Sequence, residues 1–159
     1  MDLLVEAIHN GLSKRKETLA VAESCTAGLV AAYLTERPGI SDVFWGGVVS
    51  YHNNVKRDIL HVPESDLKQH GAVSQTVALK MARGVREQLK SDWSVSITGI
   101  AGPGGGTPNK PVGTVWFAVV GPNIEESEMK LFKGDRTTIR RSSVQFALEF
   151  LEKYINKKS

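Results

Sequence analysis

Apolar residues recur along this chain with a period that changes from segment to segment, and the period predicts the element. Leu4, Ile8 and Leu12 fall on one face of an amphipathic helix over Asp2–Arg15. Thr18–Glu23 (TLAVAE) is a short apolar run suited to a buried strand. Ala27–Arg37 (AGLVAAYLTER) favours helix through its Ala and Leu content, and Pro38-Gly39 stops it. Val43–Tyr51 (VFWGGVVSY) reads as a strand in which Gly46-Gly47 marks a bulge or a close approach. Asn53–Leu60 predicts a short helix, and Pro63–Gly71 a polar connection with room for one helical turn. Ser74 is placed to cap a helix whose stripe is Val77, Met81, Val85 and Leu89. Trp93–Thr98 alternates Val95 and Ile97 as a strand, and Gly113–Val120 is a continuous apolar strand. Gly121-Pro122-Asn123 is a turn, and Glu128–Lys133 is edge-like. Arg136–Tyr154 is a last helix offering Ile139, Phe146, Leu148 and Leu151 to the core.

Helices and strands alternate without repeats or linkers, which predicts one α/β domain with helices on both faces of a mixed sheet. The length of 159 residues fits a single domain of ordinary size. In such sheets ligands gather where strands run into the loops that feed helices. Composition narrows the chemistry. The net charge of +3 is too small to demand nucleic acid or a membrane surface. The basic tail of Lys153, Lys157 and Lys158 is short and reads as a solvated end. One cysteine excludes an intrachain disulfide, and His9, His61 and His70 lack ligand spacing, so no metal is assigned. Leu3–Val5 is broken by Glu6, His9 and Asn10, which argues against a signal peptide or a spanning helix.

Four segments carry residues with chemical uses. In Ala22–Gly28 (AESCTAG) polar and small residues fall where a strand ends and a helix begins. A helix start offers unpaired N–H groups, so a nucleophile there has an oxyanion site beside it. Ser24 or Thr26 as a plain cap, and Cys25 as a small buried hydrophobe or a thiolate, compete with that reading. In Tyr51–Lys56 (YHNNVK), Lys56 falls one turn into a helix. A lysine acts as a base only where burial or another cation lowers its pKa. A solvated Lys56 and a half-buried Tyr51 are the plainer reading, and His52 is a further candidate base. Thr98–Thr114 packs six glycines into one loop between two apolar strands. Such backbone can approach a phosphate or carboxylate closely, although the pattern is neither Walker A nor GxGxxG. In Gly134–Arg141 (GDRTTIRR), Arg136 and Arg140 are four apart and share a helix face. Two cations at a helix start oppose its dipole, which suits a bound phosphate; a solvated basic face is equally compatible.

Together these segments resemble the C-terminal domain of the CinA (competence/damage-inducible) family, from about Leu4 to Leu151. The stretches that carry the resemblance are AESCTAG (22–28), HGAVS (70–74), GIAGP (99–103), KPVGTVWFA (110–118) and GDR (134–136). One departure is Ala27, where the family usually has a second glycine; a cost is expected only if the backbone there needs φ > 0. The chain is read as a single domain over 1–159, without the N-terminal nucleotide-processing domain of full-length members. The family includes stand-alone nicotinamide mononucleotide deamidases. The resemblance therefore implies a three-layer αβα fold around a mixed sheet, and hydrolysis of that nucleotide to nicotinate mononucleotide and ammonia without metal or organic cofactor. By motif it places a nucleophile at Ser24 and its assisting base at Lys56, with Tyr51 beside them to orient or relay. Thr98 and N–H groups near Cys25, Thr26, Gly99, Ile100 and Ala101 would hold the oxyanion. Arg136 and Arg140, with Gly102 and its glycine neighbours, would hold the phosphate, with Arg141 as fallback. A cytoplasmic homodimer, its partner surface hinted at by Trp45, that binds the nucleotide and neither nucleic acid nor membrane completes the expectation. The alternative is a non-catalytic nucleotide-binding or regulatory domain of the same fold, in which Ser24 is only a cap. Ser24, Tyr51 and Lys56 occurring together favour the enzyme.

Overall fold

The computed structural model describes residues 1–157; Lys158 lies outside the described residues. The elements follow in the order α1 (Asp2–Arg15), β1 (Leu19–Glu23), α2 (Leu29–Thr35), a 3-10 turn (Ile40–Asp42), β2 (Phe44–Val49), α3 (Asn53–Asp58), α4 (Glu64–His70), α5 (Gln75–Leu89), β3 (Trp93–Gly99), β4 (Thr114–Gly121), β5 (Ile124–Leu131) and α6 (Arg136–Ile155). The sheet runs β2-β1-β3-β4-β5. β1 pairs in parallel with β2 and β3, while β3–β4 and β4–β5 are antiparallel. The sheet is mixed and covered on both faces, as expected.

Alternation along the strands sorts the two layers. Val21, Val95, Ile97 and Phe117 join α1, α2 and α6 in the larger core, through residues such as Ile8, Leu12, Leu34, Leu148 and Leu151. On the other face Ala20 and Ala22 meet Val77, Met81 and Val85 of α5, and Ala118 meets Ala78 and Ala82. Alanines on both sides let α5 lie close to the sheet. The serines of β3 also face α5, where Ser94 and Ser96 donate to the Ala82 and Ala78 carbonyls at 2.7 and 2.6 Å. Their hydroxyls are fully buried yet satisfied, which removes most of the cost of polar groups in a core strand.

Three segments differ from the pattern-based expectation. Pro63–Gly71 contains a seven-residue helix, α4, rather than a single turn. β5 begins at Ile124 rather than Glu128, because a tight turn at Pro122-Asn123 sets Gly121 opposite Ile124 and β4 then imposes pairing on the charged stretch. The expected bulge falls one residue earlier than Gly46-Gly47, since the β1–β2 register skips Trp45 between Phe44 and Gly46, while the close approach is at Gly47, where a Cβ would press on the Val21 carbonyl.

The parallel strands β2, β1 and β3 end at the same edge, which brings Ser50, Ser24 and Gly99 together. Ser24 N–H donates to the Ile97 carbonyl at 2.9 Å and Ser50 N–H to the Glu23 carbonyl at 2.7 Å, so the sheet ladder runs up to these residues. The turn that follows Ser24 must reverse into α2 within four residues. Ala27 has φ 49° and Gly28 φ 95°, both left-handed. The backbone condition attached to Ala27 is met, and a Cβ there costs about 1 kcal/mol relative to glycine. Ala27→Gly should therefore raise stability by about 0.5–1 kcal/mol, or about 1–4 °C in Tm for a domain of this size. Thermal denaturation checks this, and an unchanged or lower Tm would show the turn to be unstrained.

Candidate active site

Lys56 points inward from α3. His52 caps that helix, its Nδ1 accepting from the Asn54 amide at 3.1 Å, so the residue considered as a possible base has a structural task. The Lys56 side chain is 1% exposed. Its Nζ donates to the Ser50 carbonyl at 2.5 Å and to Ser24 Oγ at 2.9 Å. No carboxylate pairs with it among the described residues. Burial without a counter-charge disfavours the ammonium and pulls its pKa down to about 8. Ser24, at the end of β1, is 8% exposed, so the pair lies on the floor of a cleft rather than in open solvent.

A residue that pattern reasoning treated only as the end of a strand organises the turn beyond Ser24. Glu23 is fully buried, and its carboxyl oxygens accept from the amides of Gly28, Val30 and Ala31 at 2.9–3.1 Å. The start of α2 is thus occupied by Glu23 and is not the free oxyanion site expected there. The only sequence signal was a carboxylate in an otherwise apolar run. Two amides of the turn remain. Neither the Thr26 nor the Cys25 N–H meets an acceptor on another residue among the described residues. The Cys25 thiol is buried, and burial pushes its pKa up to about 11, which holds it as a neutral thiol. Thr26 Oγ1 is buried without a hydrogen-bond partner.

The cleft over this floor has a volume of about 280 Å³. One wall is the loop after β3, including Ile100, Ala101, Gly102 and Gly105; the opposite wall carries Tyr51 and Asn53. Arg136 bridges the walls, donating from Nη1 to the Gly102 carbonyl at 2.9 Å and from Nη2 to Tyr51 Oη at 3.0 Å. Tyr51 therefore bonds Arg136, whereas Lys56 is held by Ser50 and Ser24. Farther out, Lys110 Nζ donates to the His70 carbonyl at 2.6 Å and ties the loop to α4. The loop is an anchored wall rather than a loose connector.

Other expected contacts fall differently. Thr98 lines the cleft, but its hydroxyl donates to the Ala72 carbonyl at 2.9 Å, which leaves it no proton for an oxyanion. Ile100 N–H is spent on the Thr114 carbonyl, whereas Ala101 and Gly102 N–H meet no acceptor among the described residues. Arg140 does not line the cleft; its Nε and Nη2 donate to the Cys25 and Thr26 carbonyls, both at 3.0 Å. Arg141 lies by Phe132 and Gln145, away from the site. Asn53, Ala72 and Val73 line the cleft and were not singled out. Asn53 precedes Lys56 by three residues on α3, and the other two belong to the HGAVS stretch, so spacing was the available signal.

These features define a three-layer α/β domain with a buried serine–lysine pair under a backbone-walled cleft. The sequence pattern of the CinA C-terminal domain matches residues 1–155, and the chain belongs to that family. A CinA-like protein of Desulfotalea psychrophila is 49% identical over 97% of this chain and 37% of its own length. One from Prochlorococcus marinus is 46% identical over 99% of this chain and 38% of its own. The chain thus spans little more than a third of the length of these relatives. Among solved structures, the competence/damage-inducible protein CihA of Agrobacterium tumefaciens superposes with a TM-score of 0.93 at 40% identity, covering 98% of this chain and 94% of the other. The competence damage-inducible protein A of Klebsiella pneumoniae gives 0.94 at 32% identity, covering 99% and 98%.

The buried lysine has a thermodynamic signature. Its folded pKa lies below its free value of 10.5, so the cost of burying charge is fully present below about pH 8. Between pH 8 and 10.5 the folded protein gives up the proton while the unfolded chain keeps it, and stability rises. Lys56→Met should gain about 1–2 kcal/mol over wild type at pH 7, and the gain should shrink toward pH 10.5. Denaturant unfolding across this range checks it; a gain that grows with pH would contradict the assignment.

Proposed function

We propose that the chain is an amidohydrolase that converts nicotinamide mononucleotide to nicotinate mononucleotide and ammonia, with Ser24 as nucleophile and Lys56 as general base and acid. The observation that carries the reading is the 2.9 Å contact between Ser24 Oγ and a buried lysine with no carboxylate partner. Lysine with a pKa of about 8 is neutral in about a tenth of molecules at pH 7. Neutral Nζ accepts the Ser24 proton as Oγ bonds to the carboxamide carbon. The oxyanion so formed rests on backbone amides of the turn. The C–N bond then breaks as Lys56 returns the proton to the leaving nitrogen, releasing ammonia and leaving a Ser24 ester. Water attacks the ester, Lys56 takes its proton, and the serine is regenerated with release of the carboxylic acid.

The cleft supports the substrate class. Arg136 sits at its mouth with donors besides those engaged by Gly102 and Tyr51, and it takes the 5′-phosphate. The chemistry uses only the side chains and amides named here. A thiol nucleophile is disfavoured because burial raises the Cys25 pKa rather than lowering it.

Purified protein should release ammonia from nicotinamide mononucleotide, and Ser24→Ala should lower kcat by at least about a thousand-fold while the protein still folds, with Tm lowered by a few degrees because Lys56 Nζ loses an acceptor. Cys25→Ala should keep most activity; an equal loss there would move the nucleophile to the thiol. Arg136→Ala should raise KM by about ten-fold or more. Because the base must be unprotonated, kcat/KM should climb with pH and level off above about 8. A profile flat between pH 6 and 9 would remove Lys56 from that role.

A further inference from the structure

Arg140 was expected on the substrate phosphate, and its placement suits another task. It is half-buried on the second turn of α6 and spends two of its forked donors on consecutive backbone carbonyls, those of Cys25 and Thr26. The carbonyl of Cys25 and the amide of Thr26 belong to the same trans peptide, so they point in opposite directions. A guanidinium fixed on that carbonyl fixes the amide at the other end and draws electron density away from its N–H. The preceding peptide is pinned in a similar way, since the Ser24 carbonyl accepts from the Ala27 amide at 3.1 Å. That bond sets the plane containing Cys25 N–H. The two amides left over in the turn are therefore the two whose planes are held from behind.

We infer that Arg140 is a positioning residue that holds the Cys25–Thr26 peptide so that the Thr26 amide, with that of Cys25, receives the oxyanion formed at Ser24. The inference rests on the serine hydrolase reading above. A backbone donor helps only if it is already aimed when charge develops, because the cost of reorienting it then falls outside the barrier. The turn needs outside support for this. Ala27 occupies a left-handed conformation, and Glu23 holds the far side of the turn through Gly28, Val30 and Ala31. Arg140 supplies the matching restraint from α6, where the buried face through Ile139 and Ser143 keeps the helix against the core. A role in phosphate binding would leave its donors facing the cleft, which they do not do.

Arg140→Lys and Arg140→Ala, each compared with wild type, separate the possibilities. Lysine keeps the charge and one donor, so it reports even if the alanine variant folds poorly. The expected result is a kcat for nicotinamide mononucleotide lowered about 10- to 100-fold in Arg140→Ala and less in Arg140→Lys, with KM within about two-fold. Phenylboronic acid gives a second readout. Its boron adds to Ser24 Oγ as Lys56 takes the proton, and the resulting tetrahedral anion needs the same amides. Its affinity should fall by a similar factor in the same order. A loss confined to KM, or kcat and boronate affinity both unchanged, would overturn the inference while leaving the hydrolase reading intact. A wild-type protein that neither releases ammonia nor forms the boronate adduct would overturn both.

Discussion

Lys56 sets the terms for the rest of this site. An ammonium withdrawn from water without a carboxylate partner is costly, and it survives only where other groups take its protons. Here those groups are the Ser50 carbonyl and the Ser24 hydroxyl, at the ends of adjacent parallel strands. The lysine therefore needs β1 and β2 in register and α3 held at the correct depth, which the His52 cap and the packing of Leu60 and Val62 under α5 provide. The same burial that destabilises the charge brings the amine near the pKa a general base needs at neutral pH.

The turn after Ser24 is governed by a different economy. Its backbone polar groups are almost all engaged, by Glu23 on the α2 side and by Arg140 on the α6 side. Among the described residues, only the amides of Cys25 and Thr26 in this turn meet no acceptor on another residue. A buried carboxyl thus takes three amides on one flank of the turn, and a half-buried guanidinium takes two carbonyls on the other. Holding Ala27 in a left-handed conformation is affordable in this frame because both flanks are pinned.

Much of the fold was legible in periodicity. The stripe Val77, Met81 and Val85 is buried in α5, and Ser74 caps it as its position suggested. Charged strands were harder: Ile124–Leu131 alternates weakly, and its extent is set by the partner β4 rather than by its own residues. Ser24, Lys56, Tyr51, Arg136 and the glycine loop, singled out segment by segment and by the family resemblance, all line the cleft. Arg140 shares a helix face with Arg136 but does not line the cleft, because i, i+4 spacing shows that two side chains share a face and not what either reaches. Thr98 fell short for a similar reason, since a hydroxyl's usefulness depends on whether its single proton is already spent on Ala72.

Composition and period are local properties, and they were enough to set the class of the fold and most of its elements, while local motifs marked the segments that reach the cleft. They act through backbone preference and apolar burial, which each segment expresses largely by itself. Which amide is free, which carbonyl a guanidinium holds, and whether a lysine is charged are properties of neighbours far apart in the chain. Lys56 and Ser24 are separated by 32 residues, and Arg140 and Cys25 by 115. Those contacts exist only once parallel β1 and β2 and the return of α6 bring the segments together. At that point burial shifts the lysine's pKa and competition for hydrogen bonds decides which donors remain for chemistry.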